Sequence, residues 1–170
     1  MKLLPVLALV LSSLAVSASH VMESGLPSWR FADTTLSGDQ VKSLRGIRTF
    51  ELNSGVALSD EEASGMKRER FEKCWQESFA GFNMKLGDFG KTSKQEGPTA
   101  YLTTTLWTQP ARSDADVVIL LDTSIDRPSS GDDIVIWRLR DMWTTLRKGA
   151  AVEIKQHIEA YTRKLASLRQ

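Results

Sequence analysis

Three segments rich in β-branched, aliphatic and aromatic residues, at 101–108, 117–121 and 134–139, constrain the fold most strongly. The first alternates between two sets of side chains, the second is a continuous apolar run, and the third is an apolar run interrupted only by Arg138, as is typical of strands. No helical pattern lies between them, so parallel crossovers are excluded and antiparallel pairing is expected. The centre of the chain therefore predicts an antiparallel sheet.

Two amphipathic helices flank these strands. The first is predicted from a capping box at 59–62 to about Phe79, with Gly81 as its stop signal. The second is the clearest element of the chain, because its apolar residues recur at intervals of three and four. Those residues are Ala151, Ile154, Ile158, Tyr161, Leu165 and Leu168.

Two further strands are predicted at 44–52 and 82–86, and the first helix is expected to connect them as a crossover. The element order β-α-β-β-β-β-α predicts the α+β class, with a mostly antiparallel sheet of four to five strands and two helices packed on one face. Residues 44–170 are expected to form one domain, preceded by an extended lead-in at 19–43.

The N-terminus has the pattern of a secretory signal. Lys2 precedes an apolar run, and Val16-Ser17-Ala18 places small residues at the cleavage positions, so residues 1–18 are predicted to be removed. The run is shorter than a membrane span, and no second apolar run follows. We expect a soluble exported protein without a transmembrane segment, periplasmic in a bacterium and otherwise secreted.

Charge and composition exclude several function classes. The chain has 22 Lys plus Arg against 21 Asp plus Glu, which gives no indication of a nucleic-acid partner. Its one Cys, Cys74, excludes a disulfide-rich scaffold and is expected to be a buried thiol. The D-F-G triplet at 88–90 has no accompanying kinase motif, and Gly90-Lys91-Thr92 lacks the preceding Gly of a phosphate-binding loop.

Acidic residues concentrate between positions 114 and 133. Asp122, Asp126, Asp132 and Asp133 are candidates for a calcium site at one end of a hairpin, because calcium prefers oxygen ligands. Their spacing is not that of an EF-hand, and solvated loop carboxylates are the alternative interpretation. No cofactor is predicted, since the sequence contains no cofactor-binding motif.

The C-terminal part of the chain has the opposite charge. Residues 134–170 carry eight basic and three acidic side chains, and Trp143 lies near Arg138, Arg140 and Arg147. Exposed Trp beside Arg is typical of interfaces, whereas a core position for Trp143 is the alternative. These four residues are therefore candidates for binding a protein partner or an anionic component of the cell envelope.

The element order is similar to that of small α+β proteins of the bacterial envelope, which by itself assigns no function. The sequence favours a non-enzymatic binding or envelope-associated interaction module. One alternative is a small hydrolase using loop carboxylates at Asp88 and 122–133, for which a deep pocket with a raised carboxyl pKa is expected. Another is a secreted inhibitor that presents the loop at 87–98 or 125–133. His157 is expected to be solvated, and the oligomeric state stays open.

Overall fold

The structure, a computed structural model, describes residues 28–31, 36–90, 99–128 and 134–170, which contain six strands and four helices. The predicted signal peptide and most of the predicted lead-in lie outside them. In chain order, the elements are β1 Ser28–Phe31, α1 Gly38–Gly46, β2 Thr49–Val56, α2 Leu58–Ser64, α3 Arg68–Gly81, β3 Lys85–Asp88, β4 Thr99–Pro110, β5 Asp116–Arg127, β6 Ile134–Leu146 and α4 Arg147–Leu168.

The strands form one mixed sheet in the order β1-β6-β5-β4-β2-β3. β4, β5 and β6 pair antiparallel, as the sequence predicts. β2 runs parallel to both of its neighbours, β3 and β4. The chain passes from β2 to β3 through α2 and α3, which confirms the predicted crossover. β1 is the strand that the sequence does not predict, and it pairs antiparallel with β6 at the edge of the sheet.

The helices form a single layer, because α4 contacts α1, α2 and α3 as well as β5 and β6. The predicted α+β class, the mostly antiparallel sheet and the packing of helices on one face are confirmed. We call the sheet face beneath these helices the inner face.

The strand predicted at 44–52 begins too early. Residues 38–46 are helical because Ser37 caps α1 and forms a capping box with Gln40, so that β2 starts only at Thr49. The Nε2 amide of Gln40 also donates to the Ile136 carbonyl at 3.0 Å, which fixes α1 against β6. The latter part of the expected extended lead-in is therefore a short helix.

The capping box predicted at 59–62 is also wrong. α2 begins after Ala57, whose carbonyl accepts from the amides of Asp60 and Glu61, and no side chain caps the helix. Gly65 then adopts a left-handed conformation with φ of 66° and ends α2, so the predicted single helix is two helices. The predicted end at Gly81 is confirmed for α3.

Asp60, in the first turn of α2, makes a tertiary contact. β2 pairs with β4 only as far as Leu106, so the next part of β4 has no strand on that side. Asp60 lies there, and its Oδ1 accepts from both the amide and the hydroxyl of Thr108 at 2.7 Å. The Asp60 carboxylate thus supplies a hydrogen-bond acceptor to β4 beyond the end of its pairing with β2, and it fixes α2 to the sheet.

Aromatic side chains fill the space between the helices and the inner face. Trp75 is fully buried and makes edge-to-face contacts with Phe71, Phe79 and Tyr161, at ring separations of 6.4, 6.3 and 5.4 Å. Tyr161 in turn stacks on Trp137 of β6 at 4.6 Å. The core therefore links α3, α4 and the sheet through one aromatic cluster.

Candidate functional site

The sheet face opposite the helices is the surface on which two of the four candidate binding residues, Arg138 and Arg140, lie. Side chains alternate along each strand, so those between the buried inner-face residues point away from the helix layer. On β4, β5 and β6, the side chains of this face that are named below are all exposed or partly exposed. We call this surface the outer face, comprising Tyr101, Thr103, Thr105 and Trp107 on β4, Val118, Leu120, Asp122 and Ser124 on β5, and Arg138, Arg140, Met142 and Thr144 on β6.

At the centre of the outer face, one carboxylate holds two guanidinium groups. Arg138 donates from Nε to Asp122 Oδ1 at 2.8 Å and from Nη2 to Oδ2 at 2.5 Å. Arg140 donates from Nε to Asp122 Oδ2 at 2.9 Å. Arg140 lies directly opposite Asp122 in the strand register, and Arg138 is its diagonal neighbour on the same face, so both guanidinium groups can reach the one carboxylate. We call these three residues the Arg–Asp–Arg cluster.

The electrostatics of the cluster follow from this geometry. Burial alone would raise the pKa of the Asp122 carboxyl, but the hydrogen bonds and charges of Arg138 and Arg140 outweigh it and lower that pKa. Hydrogen bonding to Asp122 likewise raises the pKa of Arg138. Asp122 therefore stays ionised at any physiological pH.

We expect Asp122→Asn to reduce stability at neutral pH and to have less effect in acid. A carboxyl whose pKa is lower in the folded chain stabilises the fold above its unfolded pKa of about 3.9, and this contribution is lost as the pH falls through the folded value. Urea unfolding of both proteins at pH 7 and pH 3 measures the difference. A free-energy gap that does not shrink at pH 3 would contradict the assignment.

An apolar row lies beside the cluster. Trp107, Leu120 and Met142 are direct neighbours in register across β4, β5 and β6. Trp107 is 53% exposed, and the other two are partly exposed. The sequence predicts that Trp107 shares a face with Tyr101, but it does not indicate which face is open. The register supplies that information, because it places Trp107 beside residues that face away from the helices.

The candidate binding residues are only partly brought together. Arg138 and Arg140 share the outer face, whereas Arg147 lies at the opposite end of β6, where its Nε donates to the Asp116 carbonyl at 3.3 Å. Trp143 is an inner-face residue and only 3% exposed, so the expectation of an exposed Trp at this position is wrong. It belongs to strand β6, which extends further than the sequence predicts, and its position in the strand points it toward α4.

The sequence predicts that His157 of α4 is solvated, and this prediction is wrong. Its ring stacks on Trp143 at 3.8 Å, and its Nδ1 lies 3.0 Å from Oδ2 of the buried Asp141. The side of α4 that faces the sheet is wider than its apolar stripe, because it also includes the polar side chain of His157. His157 and Asp141 therefore hold α4 on β6.

The predicted calcium ligands are divided between described and undescribed residues. Asp132 and Asp133 lie outside the described part of the chain, and no cluster suited to a metal ion occurs within that part. Asp122 is engaged by two guanidinium groups, and Asp126 is buried and accepts from Ser124 at 2.9 Å. The calcium site stays a prediction, and its two described members have these other contacts.

The alternative functions also depend on the loops. Asp88 is exposed at the end of β3, and the pKa of Asp122 is lowered, opposite to the raised value expected of a hydrolytic acid. Most of the loop at 87–98 and the tip of the loop at 125–133 lie outside the described residues. The hydrolase and inhibitor hypotheses therefore stay predictions.

An open groove on the helix layer lies between α3 and α4. Cys74 and Ser78 lie in it beside Lys155, Glu159 and other polar residues. Cys74 is buried, as the sequence predicts, and burial raises the pKa of its thiol. The thiol is thus protonated at neutral pH and poorly suited to nucleophilic chemistry.

Comparison with known proteins identifies similarity at the level of the fold. No known protein family and no curated protein matches the sequence. Among solved structures, a PelC variant dodecamer from Paraburkholderia phytofirmans matches 84% of this chain and 98% of its own at 10% identity, with a TM-score of 0.51. A second crystal form of the PelC dodecamer from the same organism matches 84% of this chain and 96% of its own at 11% identity, with a TM-score of 0.46. Rare lipoprotein B from Shewanella oneidensis matches 70% of this chain and 91% of its own at 13% identity, with a TM-score of 0.39.

At these identities, the match with a TM-score above 0.5 shows a fold in common with PelC and no more. It spans nearly the whole PelC chain, so the α+β arrangement occurs there as a complete unit. Among the described residues, none of the helices is both long enough and apolar enough to cross a bilayer.

Proposed function

We propose that this chain is an exported, envelope-associated protein that binds a protein partner through its outer face and catalyses no reaction. The observation that supports the proposal best is the distribution of the helices. Those of the described residues all pack on the inner face, while the outer face combines the Arg–Asp–Arg cluster with exposed Trp107. Arg and Trp are the residue types that most often dominate binding energy at interfaces.

Export is the part of the proposal that rests on the sequence. The signal pattern at 1–18 supports it. Mass spectrometry of the protein recovered from its native source tests it, and a mature N-terminus at Ser19 is expected. An intact N-terminus would contradict cleavage after Ala18.

Self-association is a second proposal, supported by a separate observation. The structure that shares this fold with a TM-score of 0.51 is a dodecamer. We therefore propose that the mature chain also forms oligomers. Sedimentation velocity of the purified chain tests this, and a single monomeric species at all concentrations would contradict it.

Removing the two outer-face guanidinium groups is expected to lower partner binding at least tenfold. The doubly substituted Arg138→Gln, Arg140→Gln protein loses both charged donors, each of which contributes about 1.5–3 kcal/mol when it bonds a charged acceptor. Quantitative capture from envelope extract, with the mature protein as bait, measures the loss of the specifically bound partner.

The matched control substitutes Arg147 and Lys148, which carry the same charge but lie at the start of α4. Arg147→Gln, Lys148→Gln should leave capture unchanged. Equal loss in both double variants, or in neither, would contradict binding through the outer face. Urea unfolding of each variant shows whether the fold itself is preserved.

A further inference from the structure

The guanidinium groups of the Arg–Asp–Arg cluster retain unused donors. Each guanidinium carries five N–H groups. Asp122 accepts two hydrogen bonds from Arg138 and one from Arg140, and no other described residue accepts from either. The two side chains are 49% and 48% exposed. Several N–H donors of each Arg are therefore presented to solvent.

The carboxylates of this region lie beneath the guanidinium groups. The Asp122 side chain is 18% exposed, and Asp126, whose charge also acts on Arg138, is buried. Positive and negative charges balance in number, but a molecule that approaches from solvent meets the guanidinium groups first. The outward side of the cluster thus favours an anionic acceptor.

Both guanidinium groups are also held in place before any ligand arrives. A long Arg side chain normally loses rotamer freedom when it binds, which reduces affinity. Here Asp122 fixes Arg138 through two hydrogen bonds and Arg140 through one, so part of that loss has already occurred on folding. Such an arrangement suits the planar, two-oxygen geometry of a carboxylate.

The shape of the outer face selects the kind of ligand. β4, β5 and β6 are 12, 12 and 13 residues long. At about 3.3 Å per residue and 4.8 Å between strands, they form a surface of about 40 by 15 Å. An area of this order, about 600 Å², approaches the roughly 800 Å² per partner of a standard protein interface. A surface of this size fits a protein segment better than a small molecule.

The spacing of the two outer-face features matches an extended chain. The row of Trp107, Leu120 and Met142 is two residues along the strands from the row that contains Asp122 and Arg140. That separation is about 7 Å, which is also the distance between residues i and i+2 on one face of an extended segment. One such segment reaches both features with alternate side chains.

We propose that the outer face binds an extended protein segment that places a carboxylate against Arg138 and Arg140 and, two residues away, an apolar side chain against Trp107, Leu120 and Met142. This inference rests on the proposed function, because it names the partner of the same surface. It specifies the partner by an acidic and an apolar residue separated by one position.

Synthetic peptides test the pattern directly. The probe is a peptide in which Glu and Leu alternate with Thr, and two matched peptides carry Gln in place of Glu or Ser in place of Leu. Isothermal titration gives the affinities. NMR of the Arg Nε–Hε and Trp indole signals locates the contact. We expect the probe to shift the signals of Arg138, Arg140 and Trp107 but not that of Arg147.

The variants define which group recognises which. We expect the Gln peptide to bind the wild-type protein about tenfold more weakly than the probe, and the Arg138→Gln, Arg140→Gln protein to bind both peptides equally weakly. Trp107→Ala should remove the preference for Leu over Ser. Raising the salt concentration should weaken the binding of the probe and leave the binding of the Gln peptide nearly unchanged.

Two outcomes would overturn the inference. One is equal affinity for all three peptides. The other is Arg-dependent binding to vesicles of phosphatidylcholine with phosphatidylglycerol, but not to the probe, which would assign the cluster to a lipid phosphate. If the peptides fail in either of these ways but the Arg138→Gln, Arg140→Gln protein no longer captures its partner from envelope extract, only the inferred acidic and apolar pattern is wrong, and the proposed function stands. If that variant keeps its partner, both proposals fall.

Discussion

Replacing Trp75 by Ala is expected to lower the free energy of unfolding by about 3–5 kcal/mol, the usual loss for removing a fully buried Trp. Trp75 contacts Phe71 and Phe79 on its own helix and Tyr161 on α4. Its removal opens a cavity where α3 meets α4, and neighbouring rings cannot fill that space without leaving their own contacts. Urea or thermal unfolding measures the effect.

Trp107→Ala is the matched control, because it deletes the same side chain from the outer face. Trp107 is 53% exposed, so we expect its removal to cost less than about 1 kcal/mol. The two substitutions therefore separate the two faces of the sheet. Equal destabilisation by both would contradict the assignment of the helix-covered and open faces.

Asp60→Ala is expected to destabilise the fold by about 2–4 kcal/mol. The substitution removes the acceptor of two 2.7 Å hydrogen bonds and leaves the Thr108 amide and hydroxyl without it. Loss of bonds to a charged group, together with an unsatisfied and partly buried Thr108 amide, gives this magnitude. Denaturant unfolding at neutral pH measures it.

Two further variants identify the cause of that loss. Asp60→Asn keeps an oxygen acceptor and should lose less than Asp60→Ala. Glu62→Ala, on the exposed side of the same helix, should change stability by no more than about 0.5 kcal/mol. If Glu62→Ala and Asp60→Ala were equivalent, the effect would belong to the charge of α2 and not to the bond with Thr108.

The periodicity of the sequence predicts the main elements well. All five predicted strands have counterparts in β2 to β6, and the predicted helices correspond to α2, α3 and α4. The errors occur where tertiary contacts or backbone conformation decide. Gln40 makes its contact with a carbonyl far away in the chain, and Gly65 interrupts an otherwise continuous helical pattern. The contact of Gln40 leaves no mark on the local pattern, whereas Gly65 is a residue type that often ends helices and is outweighed by the apolar periodicity around it.

The candidate site is predictable in part. Local charge identifies Arg138 and Arg140, but the sequence assigns their common partner, Asp122, to a metal site. The pairing depends on the register of β5 against β6, which places Asp122 opposite Arg140 and Ser124 opposite Arg138. The choice between Trp143 and Trp107 as the exposed Trp depends on which face the helices cover. The length of β6 and the position of α4 decide this, and neither is visible in local spacing.

Hydroxyl-radical footprinting of the protein, purified and in complex with its captured partner, tests binding through the outer face most directly. Trp107 and Met142 report on the outer face, while the exposed Phe82 and Val152 report on the helix layer. We predict that oxidation of Trp107 and Met142 falls severalfold in the complex and that oxidation of Phe82 and Val152 is unchanged. Protection of Phe82 and Val152 with unaltered oxidation of Trp107 would place the partner on the helices and contradict the account.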